Sequence, residues 1–222
     1  MNELKSEGLC VFCKELFEQK AINRHLKTHL TQKAKEDVGK KTKNYCHITI
    51  GDEIMFLHLL VAGESAMRVI DNFLRRIWLD CCGHMSKFDN VNKEDLVQDV
   101  MTPRAQVPYI YDFGSSTSLL LEGCGHYKLS IDEEIVLLSR NEPLKLLCTT
   151  CGKTPAVSIC SVCMWEQEAF FCEKCGKAHA KTCEDFDDYA NMPAVNSPRM
   201  GTCGYEGGLI DLERDGPYKA EK

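Results

Sequence analysis

Eight of the fourteen cysteines stand in four C-x-x-C pairs: Cys10/Cys13, Cys148/Cys151, Cys160/Cys163 and Cys172/Cys175. A C-x-x-C knuckle sets two thiolates on one side of a tight turn, half of what a tetrahedral zinc ion requires. The first pair is followed by His25 and His29, four apart and so on one face of a helix, with eleven residues between Cys13 and His25. The last three pairs are spaced by eight residues each and are followed by His179 and Cys183, again four apart. One set of four donors near the start and eight donors near the end suffice for three closed tetrahedral sites. Three Zn2+ ions are therefore expected. Sites closed by four protein ligands leave no position for water or substrate, so their expected role is structural. For the eight carboxy-terminal donors, the spacing permits either sequential or interleaved pairing.

The other thiols carry weaker signals. Cys81, Cys82 and His84, with Cys124 and His126, could converge on a further metal, and Cys46-His47 could contribute. None has the knuckle spacing, and a free cysteine is commonly just buried. Cys203 reads as tail packing or a stray thiol. A Cys–His nucleophile would have to pair Cys81 or Cys82 with His84 or His126, and a thiol at a helix C-terminus has the dipole against it. The chain has no G-x-S-x-G, no phosphate-cradling glycine loop and no H-E-x-x-H. No enzymatic activity is expected.

Composition fits this picture. The net charge is −6, so the whole molecule is not a polyanion-binding surface. The charge is uneven. Residues 1–45 carry ten Lys/Arg against six Asp/Glu, whereas residues 184–222 carry four against nine. The opening residues have no apolar-cored signal peptide, and the apolar runs are too short to span a bilayer. The expected location is the cytoplasm, where fourteen cysteines suit metal better than disulfides.

The elements that must position these donors divide the chain into five parts: a finger at 7–30, a polar linker at 31–44, a middle domain at 45–142, a metal module at 146–189 and an acidic tail at 190–222. In the middle domain, residues 53–62 read as a buried strand. A helix starting near Ser65 then carries Val69, Ile70, Phe73, Leu74, Ile77 and Trp78 on one face, with Asp71 among the residues opposite. Gly83 stops it. Two strands flank Gly114-Ser115-Ser116, and another covers 128–139. The fold class expected is α+β: a central antiparallel sheet with a packed amphipathic helix, plus two small zinc-stabilised modules. Trp165, Phe170 and Phe171 are expected to form the small core of the second module, and the tail to lie over the surface.

Three resemblances extend this reading. The finger resembles the two-Cys two-His zinc fingers, with Phe17 and Ile22 at that family's two apolar positions. Its base-reading positions would fall near Lys20 and Arg24, with Lys27 able to contact phosphate, so nucleic acid is a possible partner. The carboxy-terminal donors resemble cross-brace modules such as B-boxes and MYND domains. That likeness implies Cys148, Cys151, Cys172 and Cys175 on one zinc, Cys160, Cys163, His179 and Cys183 on the other, and a protein partner. The stretches His84-Met85-Ser86-Lys87-Phe88 and Tyr109-Ile110-Tyr111-Asp112-Phe113-Gly114 resemble the plasmid pRiA4b ORF-3-like family. This implies its α+β fold and a link to mobile elements. Cys81 and Cys82 stand where that family often has acidic residues.

Overall fold

The structure is a computed structural model and describes residues 6–219. It divides into two units, one of residues 1–73 with 85–142 and one of residues 74–84 with 143–222. The last three residues of the acidic tail lie outside the described part.

The first unit opens with a hairpin of β1 (Glu7–Leu9) and β2 (Leu16–Glu18), followed by the long helix α1 (Gln19–Glu36). The helix therefore runs well into the stretch expected to be linker, because its lysines and glutamine are good helix formers. Its apolar residues Ile22, Leu26 and Leu30 recur at i, i+4 and i+8 and are fully buried. They share one core with Cys10 and with Tyr45, Phe56, Leu60, Leu129 and Leu138 of the sheet.

That sheet has six antiparallel strands: β3 (Lys43–Gly51), β4 (Phe56–Ala62), β5 (Ser86–Phe88), β6 (Gln106–Tyr111), β7 (Thr117–Leu129) and β8 (Ile135–Arg140). Their order is β5-β6-β7-β3-β4-β8. β3 is missing from the sequence reading, where it hides behind a lysine-rich lead-in and the polar pair Cys46-His47. In place, both of those residues are buried. The single strand expected over 128–139 is two strands, since residues 130–134 turn away between β7 and β8. β7 is bulged at Cys124: His47 pairs with Gly125 and Ile48 with Gly123. A Cβ at Gly123 would collide with the Thr102 carbonyl oxygen, so the close backbone approach there favours glycine.

Helix α2 (Arg68–Leu74) begins later than expected, and the short α3 (Val97–Val100) follows β5. Asp71, assigned by periodicity to the polar face, is buried. Ser86 Oγ and Tyr109 Oη donate to its Oδ1 at 2.6 and 2.7 Å, and Lys93 Nζ donates to its Oδ2 at 2.8 Å.

The second unit contains a π-helical turn (Arg75–Leu79) and a three-stranded sheet of order β10-β9-β11. Its strands are β9 (Ser158–Cys160), β10 (Phe170–Phe171) and β11 (Asn191–Pro193). It also holds α4 (Glu173–His179), a second π-turn (Phe186–Ala190) and α5 (Leu212–Asp215). A small core of Cys160, Ala169, Phe171, Phe186 and Ala190 fills it. Trp165, expected in that core, is instead 75% exposed, and Phe186 takes the place. The tail is not a surface layer either: Ala194, Val195, Asn196, Ser197, Arg199 and Tyr205 are all buried. Ser197 Oγ donates to the Trp78 carbonyl at 2.7 Å and the Leu209 N–H to that of Arg76 at 2.7 Å. Carbonyls left without helical partners at the end of the π-turn are thereby satisfied.

Candidate metal centres

A zinc ion with Zn–S of about 2.3 Å and Zn–N of about 2.0 Å demands tetrahedral edges of roughly 3.8 Å between sulfurs and roughly 3.3 Å between nitrogens. Among the described residues, four groups of Cys and His side chains place their donor atoms within 4.8 Å of one another.

The first group is Cys10, Cys13, His25 and His29. Cys10 and Cys13 sit on the turn between β1 and β2, where Lys14 adopts φ of 61° and its N–H bonds the Cys10 carbonyl. The histidines project from successive turns of α1. Cys13 Sγ is 3.2 Å from His25 Nε2, which is 3.1 Å from His29 Nε2. Phe17 stacks on the His25 ring at 3.8 Å and Phe12 on His29 at 5.0 Å, fixing both imidazoles. Burial, then the nearby His29, lowers the pKa of His25, which favours the neutral form that ligates.

The second and third groups interleave. Cys148 and Cys151 meet Cys172 and Cys175, while Cys160 and Cys163 meet His179 and Cys183. Both knuckles of the first set are held by backbone: Gly152, at φ of 65°, donates its N–H to the Cys148 carbonyl, and Gly176 donates to that of Cys172. In the other set, Cys160 and Cys163 each lie 3.9 Å from Cys183, and Cys163 is 3.6 Å from His179 Nε2. Phe171 stacks on the His179 ring at 4.3 Å, with Phe186 edge-on at 4.9 Å. Thiols gathered this closely resist ionising together. The neighbouring Cys148 and Cys172 push Cys175 up to about 12, and burial with Cys160 and Cys183 pushes Cys163 up to about 12. The backbone N–H groups of Thr154 and Lys153 instead pull Cys151 down to about 6. A divalent cation resolves such mutual repulsion by favouring every thiolate at once.

The fourth group consists of Cys81, Cys82, His84 and Cys203. It differs from the ambiguous set of the sequence reading. Cys124 lies instead against Thr49 Oγ1 at 3.2 Å, and His126 Nε2 against the Met101 carbonyl at 3.0 Å. Cys46 is buried in the sheet, which pushes its thiol up to about 12. Cys203 was missed because it lies about 120 residues from its neighbours and has no knuckle partner.

Lys20, Arg24 and Lys27 are exposed along the solvent side of α1, with Lys35 further on. No helix among the described residues is long and apolar enough to cross a membrane.

No protein-family model matches the chain, and no curated protein does. Among solved structures, a protein of unknown function from Methanosarcina mazei Go1 is similar, at 12% identity and a TM-score of 0.42 over 67% of this chain and 87% of that one. The likeness is too distant to speak to fold or function. The pRiA4b ORF-3-like resemblance therefore rests on its residues alone.

Proposed function

We propose that this chain is a cytoplasmic, non-enzymatic zinc adaptor that presents a zinc-held module to a protein partner. Three ions sit at Cys10/Cys13/His25/His29, at Cys148/Cys151/Cys172/Cys175 and at Cys160/Cys163/His179/Cys183. Each set supplies four donors, which favours a closed ion over a catalytic one. The observation that carries the protein-contact reading is Trp165. It follows the Cys163 knuckle and leaves 75% of its surface open, on a module too small to hold it without metal. An exposed tryptophan on a rigid support is a characteristic anchor of protein interfaces. The resemblance to the pRiA4b ORF-3-like family is what suggests a link between this adaptor and mobile elements.

The test is capture of partners by the zinc-loaded chain at low and high salt. The adaptor reading expects a protein partner retained at high salt and lost with Trp165→Ala, by a factor of about 10 or more in Kd. Binding that survives Trp165→Ala contradicts it.

A second reading, nucleic-acid binding, draws on the exposed row of Lys20, Arg24 and Lys27. It expects nucleic acid to co-purify, to dissociate steeply with salt and to be lost on charge-neutral substitution of those three residues.

A further inference from the structure

The fourth cluster has no place in the adaptor's three ions, and it has the geometry of a complete site. Cys82 Sγ is 3.7 Å from Cys203 Sγ and 3.8 Å from Cys81 Sγ. His84 Nε2 is 3.0 Å from Cys82 Sγ and 3.3 Å from Cys203 Sγ. The sulfur–sulfur separations match the edge of roughly 3.8 Å of a zinc–thiolate tetrahedron and are far longer than a disulfide bond of about 2.0 Å. All four donors belong to the second unit.

The surroundings are built for a charged centre. Three thiolates and a neutral imidazole around Zn2+ leave one net negative charge. Arg199, fully buried, directs Nη2 to Cys81 Sγ at 3.6 Å and offsets that charge. Gly83, at φ of 80°, bends the chain between Cys82 and His84, and its N–H is held by Asp80 Oδ1 at 3.0 Å. Cys203 itself adopts φ of 51°, a left-handed conformation unusual for a side chain of this kind, followed by Gly204 at 67°.

A Cys82–His84 nucleophilic dyad accounts for less. It leaves Cys81 and Cys203 without a purpose.

We propose that Cys81, Cys82, His84 and Cys203 bind a fourth zinc ion, which fastens the 197–204 segment to residues 80–84 with Arg199 as its charge-balancing neighbour. This ion closes a loop of about 120 residues, where a metal clip constrains the unfolded chain most. Among the four centres it is also the most exposed, with Cys82 and Cys203 both at the surface.

Elemental analysis and native mass spectrometry of the full chain purified in zinc provide the test. Four zinc ions are expected, falling to three in Cys203→Ser and remaining four in the control Cys124→Ser. Three ions in the parent chain, unchanged by Cys203→Ser, overturn the proposal. Maleimide labelling of the parent chain needs no variant to fold. Cys82 and Cys203 should be protected despite their exposure and become reactive when a chelator has removed one equivalent of zinc. Labelling of either at the rate of a free surface thiol, with the full zinc content retained, also overturns it.

Discussion

His47 Nε2 lies 3.0 Å from His58 Nδ1, across the β3–β4 pair in the interior of the sheet, with both side chains buried. Thr49 Oγ1 shares His58 Nδ1 at 3.1 Å. Burial holds His47 down to about 4, and burial with the adjacent His47 holds His58 down to about 3. Burial thus favours the neutral form of both at pH 7.

The sign of the pH dependence follows. An unfolded histidine titrates at about 6.5, so the unfolded chain takes up protons first as the pH falls. The pair's contribution is complete above that value and is lost as the pH drops towards the folded values of about 4 and about 3. For His47 the loss is on the order of 3 kcal/mol. Urea unfolding of zinc-loaded protein between pH 7 and 5 should show a shallower pH slope in His47→Gln than in the parent. Parallel curves would exclude the pair as the origin, because the zinc ligands are common to both proteins.

Asp71 gathers Ser86, Lys93 and Tyr109. Burial favours its neutral form, yet the donors of Lys93, Ser86 and Tyr109 together hold the carboxyl below its usual range. Asp71→Ala leaves two hydroxyls and an ammonium without this acceptor, and a loss of about 3 kcal/mol is expected. Lys93→Met in the same chain should restore part of it, giving a coupling of about 1–2 kcal/mol in a double-mutant cycle. Additive losses would mean that the lysine and the carboxylate do not act as a pair.

The finger and the sheet share a core, so they should not melt apart. Leu26→Ala is expected to cost about 2–5 kcal/mol. Loss of the finger's ion through Cys10→Ser should accelerate amide exchange in β3 and β7 as well as in α1. Unchanged protection in β3 would show the finger to be energetically separate.

Gly123→Ala should destabilise by about 1–3 kcal/mol, because the added methyl meets the Thr102 carbonyl oxygen, backbone that has little room to move. A neutral substitution, measured by thermal unfolding, would mean that the 101–105 loop shifts freely.

The ligand knuckles, the amphipathic helix after β4 and the hairpin around Gly114 were all legible in the sequence, because each has a local period or spacing. What escaped was non-local. The helical row Ile22, Leu26, Leu30 continues the finger's spacing, but nothing in it announces that a sheet lies beneath. β3 is hidden because a strand buried on both faces with a histidine inside looks polar until His58, diagonal to it on β4, is seen as its partner. Asp71 sat at a polar position of the helical wheel, and only its three donors explain its burial. Composition favours Trp165 in the module's core, whereas Phe186, beyond Cys183, is the aromatic residue buried there with Phe171. The Cys203 contacts span 119 and 121 residues of sequence, a separation that spacing rules do not reach.

The alternation of knuckles in the second unit sets a timetable for synthesis. As the chain leaves the ribosome, the finger's donors are complete once His29 has emerged. Neither carboxy-terminal tetrad can close until Cys175 and then Cys183 follow, and Cys203 comes out last. A nascent chain stopped near residue 165 therefore carries only the first half of each tetrad, Cys148/Cys151 and Cys160/Cys163.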